Sequence, residues 1–135
     1  MKQLLINIDV DDIDRAVTFY QTAFELTLGR RFDGEFVELL GLPVPLYLLE
    51  KKAGTMPCAD ANAPRTYARH WTPVHLDIVV ESLSEATTRA LAAGARAESD
   101  VIVEPYGHLT FFGDPFGHGF CFIEWKGKGY DELLE

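Results

Sequence analysis

One short pattern occurs twice in the chain, and this internal repeat limits the possible folds more than any other feature. The segment "LINIDV" at residues 5–10 aligns residue for residue with "HLDIVV" at residues 75–80. Apolar residues at helical spacing follow each copy, over residues 12–24 and 82–94. A repeat of this kind indicates two copies of one supersecondary module, each beginning with a strand and a helix.

Capping residues support both helices. Asp12 stands at the N-cap position of the first helix, and Ser82 and Glu85 have the spacing of a capping box at the second. Gly94 predicts the end of the second helix. The apolar stripe of the first helix consists of Ile13, Ala16, Val17, Tyr20 and Phe24.

Three strand-like segments follow each helix. Asp33-Gly34 predicts a hairpin turn in the first copy, and "DPFG" at 114–117 predicts a proline-containing turn in the second. The predicted strands are 26–32, 35–40 and 45–50, then 97–104, 108–112 and 119–125. The predicted fold class is therefore α+β, with two tandem βαβββ modules whose curved mixed sheets enclose a cleft.

The chain of 135 residues is expected to form a single domain. Its parts are a first module at about residues 1–50, a connector at 51–67, a second module at 68–125 and a tail at 126–135. Side chains alternate along a strand, so every second residue of each first strand is expected to face the cleft. These residues are Leu5, Asn7, Asp9, His75, Asp77 and Val79.

Three segments together resemble the vicinal oxygen chelate superfamily, which includes glyoxalases, bleomycin resistance proteins and extradiol dioxygenases. They are "VDDIDRAVTFY" at 10–20, "HLDIVVESLSEATTRALAAGA" at 75–95 and "DPFGHGFCFIEW" at 114–125. The resemblance covers nearly the whole chain and implies the fold of that superfamily, often as a homodimer. It implies function less strongly, because one scaffold hosts many chemistries.

The resemblance also implies where metal-dependent members carry their ligands, namely at Leu5, Tyr47, His75 and Cys121. Leucine has no lone pair, a neutral tyrosine is a poor ligand, and the thiol of Cys121 is soft. Oxygen-rich octahedral sites need several hard ligands, so we predict no metal cofactor.

One alternative keeps a divalent metal ion. Glu50 and Glu124 end the last strands of the two modules. A shift of three residues reverses the face of a strand, so both are expected to point away from the cleft unless a β-bulge intervenes. With such a bulge, His75, Glu50 and Glu124 form a possible metal site.

The predicted ligand-binding residues combine aromatic rings with a few polar groups, as small-molecule sites usually do. They are Asn7, Asp9, Tyr47, Trp71, His75, Asp77, Cys121 and Trp125. Asp9 and Asp77 favour a cationic ligand. His70 and His118 are expected in a solvent-exposed loop and turn, outside this set.

The net charge of −9 makes nucleic acid and anionic membranes poor partners. The two cysteines, Cys58 and Cys121, lack metal-ligand spacing and are expected to be reduced thiols in the cytoplasm. Two functional hypotheses remain. The first is a metal-independent binding protein, similar to the bleomycin-resistance branch and holding a partly aromatic, cationic ligand. The second is a lyase, isomerase or oxidoreductase that uses His75 as a catalytic base or as the ligand of an atypical metal site.

Overall fold

The computed structural model describes all residues from 1 to 135. The chain divides into two compact units, Met1–Ala68 and Arg69–Glu135. The cleft expected between the modules stays a prediction. None of the helices has the length and apolar character required to cross a membrane.

The first unit is a four-stranded mixed sheet with one helix. Its elements are β1 (Ile6–Val10), α1 (Ile13–Phe24), β2 (Thr27–Phe32), β3 (Phe36–Leu40) and β4 (Leu46–Glu50). The strand order is β1-β4-β3-β2, in which β1 runs parallel to β4 and the other pairs are antiparallel. The predicted βαβββ order of this module is confirmed.

The second unit repeats this plan with one additional short strand. Its elements are β5 (Leu76–Val79), α2 (Leu83–Ala93), β6 (Arg96–Ala97), β7 (Ile102–Glu104), β8 (Gly107–Gly113), β9 (Gly119–Trp125) and a 3-10 helix (Gly129–Leu133). The strand order is β5-β9-β8-β6, and β7 also pairs with β8. The α+β class is confirmed in both units.

The prediction of one continuous strand over residues 97–104 is wrong. The segment forms two short strands, β6 and β7, that are separated by residues 98–101. Ser99 explains the interruption, because its Oγ accepts the hydrogen bond from Phe111 N at 3.1 Å. A side chain thus takes the place of a backbone carbonyl in the sheet.

The two predicted helix N-caps and the predicted hairpin turn are confirmed. The Asp12 side chain accepts a hydrogen bond from Arg15 N at 3.1 Å, and Ser82 Oγ accepts one from Glu85 N at 3.2 Å. Asp33 and Gly34 have positive φ values of 50° and 79°, as a two-residue hairpin turn requires. These local contacts set where each module's helix begins and where β2 turns into β3.

Each sheet packs one face against its helix, and the face away from the helix is called the open face. In the first unit the side chains on the buried face are Val10, Val37, Leu39, Leu46 and Leu48, each at most 1% exposed. Alternation and the strand register then assign the open face of the first unit to Asn7, Asp9, Phe36, Glu38 and Tyr47. The same reasoning places Asp77, Leu109, Cys121 and Ile123 on the face of the second sheet that lies away from α2, where the last three are buried in a cluster with Ile102 and Tyr106.

Candidate functional site

The second unit contains a pocket of about 170 Å³ at the end of its sheet where β9 begins. Trp71 and Phe111 supply aromatic surface to its lining. Trp71 is 82% exposed and Phe111 is 40% exposed, so a ligand can reach both rings. His75, Arg69 and Glu98 contribute the charged and polar lining. The structure therefore brings together two of the predicted ligand-binding residues, Trp71 and His75, in one concave surface.

His75 is held by a carboxylate. Its Nδ1 lies 3.0 Å from Asp77 Oδ1, and the two side chains are 49% and 37% exposed. The pairing follows from strand alternation, which places residues two apart on the same face. A carboxylate on Nδ1 fixes the orientation of the ring and leaves Nε2 for a ligand or for a proton. The pair can bind a polar group or act as a general base.

Arg69 and Glu98 close one side of the pocket as a two-point ion pair. Arg69 Nε lies 2.6 Å from Glu98 Oε2, and Nη2 lies 2.8 Å from Oε1. The hydrogen bond and the positive charge lower the pKa of Glu98 against the opposing effect of burial. A Cβ atom at Gly119 would stand 2.5 Å from Arg69 Nη2, so a larger residue at that point of β9 would make the guanidinium shift.

The expectation that His70 and His118 are solvent-exposed is wrong. Both are half-buried, and His70 Nε2 lies 2.9 Å from His118 Nδ1. Burial lowers the pKa of His70, and the nearby His118 and Arg69 lower it further. The contact joins residues that are 48 positions apart, a separation at which local sequence patterns carry no information.

In the first unit, the predicted cation-attracting residue Asp9 already has a cationic partner. Arg65 Nε lies 2.8 Å from Asp9 Oδ2, and Arg65 Nη1 also donates to the carbonyl oxygen of Met56 at 3.0 Å. The connector thus places an arginine beside β1. The attraction of Asp9 for a cationic ligand is reduced accordingly. Asn7 is exposed on the same face.

Sequence reasoning missed the polar cluster of Arg30, Glu38 and Tyr47. Glu38 Oε1 accepts from Arg30 Nε at 3.0 Å, Oε2 accepts from Arg30 Nη2 at 2.8 Å, and Oε2 also accepts from Tyr47 OH at 2.9 Å. Hydrogen bonds from Arg30, followed by that from Tyr47, lower the pKa of Glu38 to about 2. One sequence feature could have indicated this cluster, namely the lone glutamate Glu38 within the apolar strand "FVELL".

The remaining two predicted residues pack against neighbours in the second unit. Cys121 is 1% exposed and clusters with Leu109 and Ile123, and burial raises the pKa of its thiol to about 11. Such a thiol is a poor nucleophile at neutral pH. Trp125 packs edge-on against Tyr130, with ring centroids 4.8 Å apart. Neither residue lines the pocket at His75.

The sequence matches the model of the glyoxalase-like domain family over residues 5–123. The chain belongs to this family and, with it, to the vicinal oxygen chelate superfamily. No curated protein sequence matches the chain significantly.

Solved structures share the fold at low sequence identity. The fosfomycin resistance protein FosX from Listeria monocytogenes superimposes with a TM-score of 0.72 and 19% identity, covering 98% of this chain and 95% of FosX. TioX from Micromonospora sp. ML1 gives 0.69 and 18%, covering 93% and 100%. Lactoylglutathione lyase from Agrobacterium tumefaciens gives 0.62 and 22%, covering 91% and 92%. These similarities establish the fold and do not specify a ligand.

The residues present do not fit the metal site of the metal-dependent relatives. A mutant of the Listeria protein is complexed with Mn(II) and 1S,2S-dihydroxypropylphosphonic acid. In this chain no group of three or more His, Cys, Asp or Glu side chains is arranged to hold a metal ion. Tyr47, at one of the family's ligand positions, is instead hydrogen-bonded to Glu38.

The alternative ligand set of His75, Glu50 and Glu124 depends on a bulge in the last strands. The pairing of β4 and of β9 is regular along its length. Glu124 Oε1 accepts a hydrogen bond from Leu83 N at 2.9 Å, so this carboxylate lies on the helix side of its sheet. Glu124 therefore acts as a cap for α2 on the face opposite Asp77.

We predict that Glu38 makes the stability of the protein depend on pH in the acid range. Its pKa falls from about 4.5 to about 2 in the folded protein, so its ionised form stabilises the fold above pH 4.5. This contribution is lost as the pH falls towards 2. Wild-type protein should therefore be more stable than Glu38→Gln at pH 7, and the difference should shrink in acid.

Urea unfolding at a series of pH values measures this effect. Glu35→Gln, at an exposed turn position in the same unit, is the matched control and should show no such convergence. Stability curves for wild type and Glu38→Gln that stay parallel down to the lowest accessible pH would refute the role assigned to Glu38.

Proposed function

We propose that this protein binds a small, partly aromatic organic molecule without using a metal, in the manner of the bleomycin-resistance branch of its superfamily. The observation that carries the proposal is the pocket of the second unit, where Trp71 and Phe111 offer aromatic surface beside His75. A few oriented polar groups within apolar walls are typical of small-molecule sites. The misfit between the family's metal positions and the residues present supports metal independence. Cys58 and Cys121 are free thiols, which suits action in the cytoplasm.

We further propose that the preferred ligand of this pocket is cationic. Asp77 keeps an exposed carboxylate next to His75, and the chain as a whole carries a net charge of −9. The exposed ring of Trp71 adds a surface on which an organic cation can stack. Glu98 contributes less, because Arg69 neutralises it.

A second candidate function is an enzyme in which His75 is the general base. The hydrogen bond between His75 Nδ1 and the accepting Asp77 Oδ1 is the specific observation in its favour. It orients Nε2 and stabilises the protonated ring that forms when a base accepts a proton. The pocket would then hold a substrate with an acidic C–H or O–H group, and the reaction would be of the lyase or isomerase type.

The binding proposal predicts that benzyltrimethylammonium, as an aromatic cation, binds the second unit. Trp71→Ala should weaken binding by about 2- to 30-fold, the range expected for a cation–π contact of about 0.5–2 kcal/mol. Asp77→Asn should also weaken it. Isothermal titration with neutral benzyl alcohol as a comparison ligand measures the effect.

His108→Ala is the matched control for His75→Ala. His108 pairs with Glu124 across β8 and β9, on the side of the sheet opposite Asp77. His108→Ala should leave the affinity unchanged, whereas His75→Ala should reduce it. Equal affinity of all variants for the cation contradicts the proposed site. Two results together would favour the enzyme. The wild-type protein would convert a bound compound with a pH–rate profile governed by one base, and His75→Ala would abolish this conversion.

Metal independence predicts the result of elemental analysis. Protein purified without a metal-affinity tag should contain far less than one equivalent of transition metal. His75→Ala should change neither the metal content nor the melting temperature in chelator. One full equivalent of metal that disappears in both His75→Ala and Glu124→Gln would overturn metal independence.

We also propose a homodimer. β1 and β5 each stand at the edge of their sheet with one strand neighbour, and exposed edges are usually covered in native proteins. Val74, just before β5, is an exposed apolar side chain that a second subunit could bury. Light scattering across a wide concentration range is expected to give twice the chain mass of 15.1 kDa. A constant monomer mass would argue against the dimer.

A further inference from the structure

The open face of the first unit holds an arginine that is exposed and yet fixed in position. The Arg30 side chain is 66% exposed, whereas that of its partner Glu38 is 8% exposed. Most surface arginines lose rotamer freedom when they bind a ligand, which costs affinity. In this cluster the buried carboxylate has already ordered the guanidinium, so Arg30 is preorganised for a second partner.

The hydrogen bonds of Arg30 leave the Nη1 group of the guanidinium for that partner. Nε and Nη2 donate to the two oxygens of Glu38, and Nη2 also lies 3.3 Å from Tyr47 OH. Nη1 takes part in none of these bonds. A guanidinium has five N–H donors in one plane, and two of them belong to Nη1. Nη1 is therefore the donor group that stays available for an incoming anion.

Aromatic rings continue the surface beside this guanidinium. The Cζ atom of Arg30 lies 5.2 Å from the centre of the Phe32 ring. Phe32 and Phe36 have ring centroids 4.9 Å apart, and Phe36 and Tyr47 have centroids 5.3 Å apart. The three rings come from neighbouring strands β2, β3 and β4 and form a continuous row. A flat ligand can stack on this row while an acidic group reaches Arg30.

We propose that Arg30, with Phe32 and Phe36, forms a binding site for a small planar carboxylate such as an aromatic acid. The carboxylate group accepts hydrogen bonds from Nη1 of Arg30, and the ring of the ligand packs on the aromatic row. Glu38 and Tyr47 act as positioning residues that hold Arg30 in place. The site lies within the first unit, and its preference for anions is opposite to that proposed for the Trp71 pocket. It does not depend on the function proposed for that pocket.

Binding of benzoate to isotope-labelled protein, followed by NMR, tests the site. The Nε–Hε signal of Arg30 and the backbone signals of β2 and β3 should shift in a saturable manner. Arg30→Ala should weaken benzoate binding by about tenfold or more, as expected for loss of hydrogen bonds to a charged group. Benzylamine, which carries the opposite charge, should not shift these signals.

Arg31→Ala is the matched control. Arg31 is the next residue in β2, and its only ion pair is with the exposed Asp14 at 3.6 Å. The affinity of Arg31→Ala for benzoate should lie within about twofold of the wild-type affinity, because most surface charge pairs contribute little. Arg30→Ala leaves Glu38 without its partner, so the double variant Arg30→Ala/Glu38→Gln tests the same loss without a buried unpaired charge.

Three results would overturn the proposal. They are equal benzoate affinity in the Arg30 and Arg31 variants, saturable shifts that map outside β2 and β3, and no saturable shift at high millimolar benzoate. Benzyltrimethylammonium binding should remain intact in Arg30→Ala. Failure at Arg30 is thereby distinguished from failure of the Trp71 pocket, since each site has its own probe and its own variant.

Discussion

Each half of this protein depends on the burial of one face of a mixed sheet against a single helix. In the first unit Val10, Val37 and Leu48 are completely buried on that face. Burying an aliphatic side chain of this size stabilises a fold by about 1.5–3 kcal/mol. One helix can cover one face only, and in the first unit the other face carries polar side chains such as Asn7, Asp9 and Glu38. The candidate binding chemistry of the chain lies largely there for this reason.

Most charged groups on these open faces and beside them are compensated within their own unit. Arg30 pairs with Glu38, and Arg65 pairs with Asp9. In the second unit Arg69 pairs with Glu98, whereas Asp77 keeps an exposed carboxylate beside His75. Most carboxylates at the candidate sites are therefore paired with an arginine, and Asp77 is the exception. Ligand selection depends on which edge of each pair stays exposed, more than on the total charge of the chain.

The chain keeps the scaffold of its superfamily, and the residues expected at the metal positions either lack a ligand atom or make other contacts. Leu5 offers no ligand atom, Cys121 is buried with a raised pKa, and Tyr47 donates its hydroxyl hydrogen to Glu38. The hydrogen bond to Glu38 gives Tyr47 a definite role in the first unit, as part of the support for Arg30. The positive charges on this face of the first sheet come from the side chains of Arg30 and Arg65.

The sequence by itself determined the repeated module, the helix caps, the hairpin at Asp33-Gly34 and the alternation that puts His75 beside Asp77. All of these are set by residues a few positions apart, where backbone geometry is regular. Only the tertiary structure decided the pairs Arg30–Glu38, Arg65–Asp9 and His70–His118. Their members are 8, 56 and 48 positions apart, and strand pairing or loop placement brings them together. Periodicity cannot report such contacts, because they depend on register and loop path rather than on local spacing.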